Sequence, residues 1–155
     1  MKTTPRGIRN NNPLNIRYIP ANKWQGRVEV KKDKEFEEFK TMYHGYRAAI
    51  KLIYNYMQHG LYTIPTIISK WAPLNENQTG SYIRIVSQKT GIPLEKSIDF
   101  AKPCDMFKLI SAMAFVECGS TPEPKEIVAA YLDICTEKEI QLPIANCPML
   151  FVYVS

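Results

Sequence analysis

From Asp105 to Ser120 the chain reads Asp-Met-Phe-Lys-Leu-Ile-Ser-Ala-Met-Ala-Phe-Val-Glu-Cys-Gly-Ser. A helix this apolar on nearly every side has to lie at the centre of a domain. The expected helix has Asp105 as N-cap after Pro103, meets no breaker through Val116, and closes at Gly119. Met106, Ile110, Met113 and Glu117 step by four, three and four residues and therefore share one face. Ala112, Phe115 and Val116 occupy the opposite side, which leaves Lys108 and Ser111 to meet water. Glu117 is thus a carboxylate on the apolar side of an enclosed helix. Burial and the negative end of the helix dipole both disfavour its charge, and a Glu kept protonated near neutral pH is what a general acid needs. The alternative is a partly exposed helix-end Glu paired with a Lys or Arg.

A chain of 155 residues, 45% of them hydrophobic, suits one compact domain spanning 1–155. No apolar run reaches membrane-spanning length, and Met1-Lys-Thr-Thr-Pro-Arg6 lacks the hydrophobic segment of a secretory signal. The expectation is synthesis in the cytoplasm without a signal peptide, and no membrane insertion. The four cysteines, Cys104, Cys118, Cys135 and Cys147, lie far apart and read as reduced, packed thiols with no zinc pattern, so neither a metal nor another cofactor is expected. A formal charge of +5 gives a mild attraction to anionic partners such as cell-wall polymers or nucleic acid.

Ahead of the acid helix the chain changes character several times. Arg6-Gly-Ile-Arg-Asn-Asn-Asn-Pro-Leu-Asn-Ile-Arg17 reads as a loop that enters a short strand near Leu14 to Tyr18. Asn10, Asn11, Asn12 and Asn15 have two readings: a turn that holds itself together through its own amides, or a set of amides that reads sugar hydroxyls and N-acetyl groups. Arg27 to Lys31 and Glu35 to Phe39, separated by Lys32-Asp33-Lys34, look like a β-hairpin with a charged tip. No recognition helix rich in Arg and Asn follows, so nucleic acid is not an expected partner.

The pattern is then helical: Tyr46, Ala49, Ile50, Ile53 and Met57 on one face up to Gly60, and a Thr63-capped helix with Pro65 in its first turn, stopped by Pro73. A helix capped by Asn77 or Thr79 follows and ends at Gly91; a short helical turn spans Leu94 to Ile98, and an amphipathic helix runs from Glu126 to Cys135. Residues 137–155 form a tail whose place in the fold the sequence leaves open, although Leu150 to Val154 suits a terminal strand.

The Arg6 to Arg17 stretch, Trp24-Gln-Gly26, Phe36 to Phe39, Gly45-Tyr-Arg-Ala-Ala49, Ile67-Ile-Ser-Lys-Trp-Ala-Pro73, Tyr82-Ile83 and Ala112-Met-Ala-Phe-Val-Glu-Cys-Gly119 occur in an order that resembles small phage and prophage proteins of the lysozyme-like class. These include proteins labelled virion structural protein, and their hallmark is an R-G-I-R-N-N-N-P-G-N-I opening. The likeness covers most of residues 5 to 120, with Leu14 where the hallmark has Gly. It implies a mainly α, α+β lysozyme-like domain with a small β-hairpin lobe. In the glucosaminidase branch the acid helix precedes the Asn motif. Here it comes near the C-terminus, which implies a circular permutation.

The activity implied is cleavage of peptidoglycan glycan strands, by a muramidase, glucosaminidase or lytic transglycosylase route, with Glu117 as the single general acid. Candidates for a second carboxylate are Glu76, Glu29 and Asp33. Trp71, Tyr46 and Tyr82 are candidates for sugar-stacking faces beside Asn10, Asn11, Asn12 and Asn15. Partners implied are peptidoglycan and virion or secretion-apparatus components, with action at the wall after lysis, after holin-type release or from the virion. A cysteine peptidase with Cys118 as nucleophile and His44 or His59 as base is a rival, opposed by the position of Cys118 at a helix C-terminus. A non-enzymatic rival is a catalytically inactive virion-structural or wall-binding protein on the same fold.

Overall fold

A computed structural model describes residues 3–73 and 75–143, apart from the side chains of Glu76 and Asn77. Cys147 and the expected strand from Leu150 to Val154 lie outside the described residues. The described chain is mainly helical: α1 (Arg6–Arg9), α2 (Met42–Gln58), α3 (Ile64–Trp71), α4 (Glu76–Thr90), α5 (Pro103–Cys118) and α6 (Pro124–Glu137).

Helix α5 is the central one. Met106, Leu109, Met113 and Ala114 are fully enclosed, Ile110 nearly so, and α5 packs on α1, α4 and α6. Its N-terminus differs from the expectation. Pro103 takes the first turn, where a missing amide hydrogen costs nothing, so Lys102 is the capping position and Asp105 lies inside the helix. Gly119 closes the other end in the left-handed conformation (φ 77°), donating its N–H to the Phe115 carbonyl at 2.8 Å. Phe115, expected inside, is exposed and places its ring 3.7 Å from the Lys89 ammonium.

Around α5, helix α2 buries Tyr46, Ala49, Ile50 and Ile53 and packs mainly on α6, while α3 rests on α4. Thr63 and Thr66 form a reciprocal capping box at the start of α3, with Pro65 in its first turn. Helix α4 is capped earlier than expected, by Asn75, two residues before Asn77 and four before Thr79, and its Oδ1 accepts the Gln78 N–H at 2.9 Å. Of residues 94–98 only 94 and 95 form a turn, and no helix spans them.

The expected hairpin is replaced by something more irregular. Residues 35–39 lie between two neighbours, meeting Arg17 through a bridge at Phe36 and Arg27 through a bridge at Phe39, and no ladder extends from either. Side chains supply the partners a ladder would have used. Glu38 accepts the Lys32 and Asp33 amides, Asp33 accepts those of Glu35 and Phe36, and the Lys31 ammonium donates to the Asp33 and Phe36 carbonyls.

The cysteines also depart from the expectation. Cys118 and Cys135 are free and buried, but Cys104 is disulfide-bonded. Distance along the sequence says nothing about which thiols meet in space, so wide spacing was a poor argument for four reduced thiols.

Candidate active site

Glu117 occupies the last turn of α5 and looks into a cleft of about 630 Å³, a size ordinary for a ligand site. Asn15, Ile16 and Arg17 from the N-terminal loop form one wall with Phe36; Leu52 and Tyr56 of α2, Trp71 at the end of α3, Tyr82 of α4 and Val116 of α5 form much of the rest. Five elements far apart in sequence therefore converge on one carboxylate.

Two groups hold that carboxylate. The Asn15 Nδ2 donates to Glu117 Oε1 at 2.9 Å and, more weakly, to the Glu117 carbonyl at 3.4 Å. The Tyr82 hydroxyl stands 3.0 Å from Oε2 and 3.5 Å from the Met113 carbonyl. Because Asn15 faces two oxygens at once, it is fixed as a donor and Oε1 as an acceptor, which leaves Oε2 to carry the proton of the neutral acid. When Oε2 is bare, the Tyr82 hydroxyl donates to it; when Oε2 is protonated, the same hydroxyl has the Met113 carbonyl as its acceptor. Burial raises the Glu117 pKa, and the bonds from Asn15 and Tyr82 pull against that rise without cancelling it. The Tyr82 phenol, buried beside this charge, is pushed well above its usual value and stays a donor.

The backbone at Asn15 sits in the left-handed region (φ 52°), a conformation Asn tolerates better than other side-chain-bearing residues. That turn swings its amide onto Glu117. Close approach of α1 makes it possible, since Gly7 is the point of contact: a Cβ there would lie 2.5 Å from Cys118 Sγ and 2.7 Å from the Asn12 carbonyl. Leu14 is not left-handed but fully buried, and its carbonyl accepts the Trp71 Nε1–H at 3.1 Å. The position where the hallmark has Gly is therefore one that a side chain can fill.

The other asparagines face elsewhere. Asn12 is fully buried with both amide hydrogens bonded, giving Nδ2 to the Ile16 and Glu37 carbonyls and taking the Ile16 N–H on Oδ1. Asn11 donates to the Phe39 and Lys40 carbonyls, and Asn10 to Asp33 at 2.9 Å. These three sew the N-terminal loop onto residues 33–40; only Asn12, through Ile16, holds its own turn, and of the four only Asn15 lines the cleft. Tyr46 likewise is fully enclosed, its hydroxyl donating to the Pro122 carbonyl.

Of the candidate second carboxylates, neither Asp33 nor Glu29 lines the cleft, and the Glu76 side chain lies outside the described residues. Asp33 pairs with Arg6 at 2.8 Å; burial opposes its charge, but the Asn10 amide, the Glu35 and Phe36 amides and Arg6 outweigh that and hold its pKa at about 2. Glu29 is exposed, and Glu76 opens α4. Glu117 is the only carboxylate among the described residues lining the cleft. Among the described residues, no group of three or more His, Cys, Asp or Glu is arranged to hold a metal ion.

The peptidase alternative finds no geometry here. The Cys118 thiol donates to the Pro13 carbonyl at 3.2 Å, and burial followed by the Glu117 charge pushes its pKa up to about 11. The His44 ring bonds Thr41 and the His59 ring the Asn55 carbonyl.

Arg17, Phe36, Leu52, Tyr56 and Val116 were not singled out from the sequence. Tyr56 carried a legible signal: with Leu52 it repeats at a spacing of four on the side of α2 flanking the core stripe, and its ring meets Trp71 edge-on with centroids 6.1 Å apart.

The chain is 45% identical over 121 residues to protein P5 of Pseudoalteromonas phage PM2, a match covering 76% of this chain and 73% of P5. The chain belongs to the P5 family. No protein-family model matches it. P5 kinship ties the chain to a bacteriophage protein, and among the described residues no helix is long and apolar enough to cross a membrane.

Proposed function

We propose that the Glu117 cleft cuts the glycan strands of peptidoglycan, on a lysozyme-like fold permuted so that the acid helix follows the Asn loop, in the service of a phage or related element. The observation that carries this reading is a half-buried carboxyl whose pKa burial raises, held by Asn15 and Tyr82 inside an aromatic-lined cleft. In the proposed reaction Glu117 Oε2–H gives its proton to the glycosidic oxygen as the bond from that oxygen to C1 breaks. Positive charge develops on the sugar ring. The leaving strand departs as an alcohol, and the new carboxylate is stabilised by Asn15 and by a hydrogen bond from Tyr82. The ring cation is captured by water or by a hydroxyl of the same sugar, and the proton released by that nucleophile restores Glu117. A single acid serves either route, provided the substrate's N-acetyl group or its own hydroxyl does what a second carboxylate does elsewhere. Trp71 and Tyr56 offer the flat faces for a sugar ring.

Kinship with a phage protein also favours a second reading, a virion-structural or wall-binding protein without chemistry. Incubation with purified peptidoglycan and mass analysis of the soluble fraction separates the two. The enzyme reading expects glycan fragments with either free reducing ends, for capture by water, or anhydro ends one water lighter, for internal capture. Binding to the wall with no fragment released sinks the enzyme reading and leaves the structural one.

A further inference from the structure

Arg17 is a cation with an unusual placement. It lines the Glu117 cleft, is exposed, and among the described residues has no ion-pair partner, whereas Arg6, Arg27 and Arg47 each bind a carboxylate. Its position is nevertheless fixed. Arg17 and Phe36 face each other across an antiparallel bridge flanked by the bonds Tyr18 N–H to Glu35 O (2.8 Å) and Glu37 N–H to Ile16 O (2.9 Å). That is the closer, non-hydrogen-bonded kind of pair, in which side chains lie against each other. The guanidinium accordingly sits 4.8 Å from the centroid of the Phe36 ring, which also lines the cleft. Arg6 approaches the same ring at 4.6 Å but is neutralised by Asp33 and Glu35.

Arg17 is not a counter-ion held for Glu117. The carboxylate is bonded by Asn15 and Tyr82, and its raised pKa carries no contribution from a neighbouring cation. Among the described lining residues Arg17 is the one cation, standing in the same cleft as a carboxyl whose charge burial disfavours. A guanidinium laid on the Phe36 ring and paired with no carboxylate among the described residues presents a positive site to what enters the cleft. Arg, unlike Lys, offers a planar fork matched to a carboxylate.

We propose that Arg17 makes the cleft selective for an acidic glycan by pairing its guanidinium with a carboxylate carried on the strand. This rests on the glycan reading of the Glu117 cleft and adds to it the charge of the substrate. In peptidoglycan the carboxylate has two sources, the lactyl group of a strand stripped of its peptides and the peptide itself.

The test uses the full chain carrying Glu117→Gln, so that ligands are bound and not consumed, with three probes of equal sugar number measured by calorimetry. They are neutral chitotetraose, a peptide-free peptidoglycan tetrasaccharide with free lactyl carboxylates, and the same tetrasaccharide with its peptides. At low salt at least one acidic probe should bind roughly three- to five-fold more tightly than chitotetraose, the scale of one exposed ion pair. Which acidic probe it is identifies the carboxylate. The preference should fade at high salt, disappear in Arg17→Gln with chitotetraose affinity retained, and survive in part in Arg17→Lys. Equal binding of all three probes, or a preference indifferent to salt, overturns the proposal while leaving the glycan reading intact. Binding of none overturns both. If Arg17→Gln loses chitotetraose as well, the salt series on the Arg17 protein decides.

Discussion

Glu117 is a residue whose surroundings pull in two directions, and its titration reports the balance. Burial favours the neutral carboxyl; the hydrogen bonds from Asn15 and Tyr82 favour the ion. Tyr82→Phe removes one of the latter, so the Glu117 pKa should rise further. Because the acid works protonated, the descending limb of a pH–rate profile should move to higher pH in that variant, and a limb that stays or moves down contradicts the role given to Tyr82. Stability offers a check independent of turnover. A carboxyl whose folded pKa is raised binds protons more tightly in the native state, so its contribution to stability declines as pH climbs from the unfolded value of about 4.3 through the folded one. Glu117→Gln has no such decline and can keep both contacts, accepting from Asn15 and donating to Tyr82. Its denaturant midpoint near neutral pH should equal or exceed that of the parent. A markedly less stable Gln variant marks Glu117 as a structural ion.

At the scale of elements, the strongest polar tie among the helices joins α2 to α6. Arg47, buried, donates to Asp133 Oδ2 and Glu137 Oε1 at 2.6 Å each, Tyr43 adds a bond to Asp133 at 2.7 Å, and Lys51 reaches Glu137 at 3.0 Å. The Asp133 pKa is lowered chiefly by the bond from Arg47 and then by Tyr43, and that of Glu137 chiefly by Lys51. Both acids are partly exposed and can rehydrate, so Arg47→Ala should cost about 2 kcal/mol, less than a sealed pair. Depressed pKa values stabilise above the unfolded values and lose that effect as pH falls through the folded ones. The gap between parent and variant in urea denaturation should therefore narrow below about pH 4, and a gap constant across pH assigns the loss to packing alone. Helices of this kind were legible from periodicity and caps: α2, α3, α5 and α6 fall within a few residues of expectation. The hairpin was not, because charged side chains at its tip satisfy the backbone and alternation cannot register that competition.

Across the molecule, what sequence could not convey was which of several similar residues the fold would turn toward the acid. Four asparagines looked alike, yet a left-handed backbone at Asn15 brings its amide to Glu117, and burial commits Asn12 to carbonyls. Trp71 and Tyr82 meet Glu117 in the cleft while Tyr46, on an equally good helical stripe, is core. Arg17 escaped notice because its meaning depends on Phe36, a cross-strand neighbour that periodicity does not reveal. The acid itself was legible, since a carboxylate at the end of an otherwise apolar helix stands out in any register. The claim that it performs proton transfer is tested most directly by the rate of glycan-fragment release from purified peptidoglycan, measured side by side for the parent protein and a folded Glu117→Gln variant. The account predicts release by the parent and none above background by the variant, which still sediments with the wall. Equal release by both contradicts it.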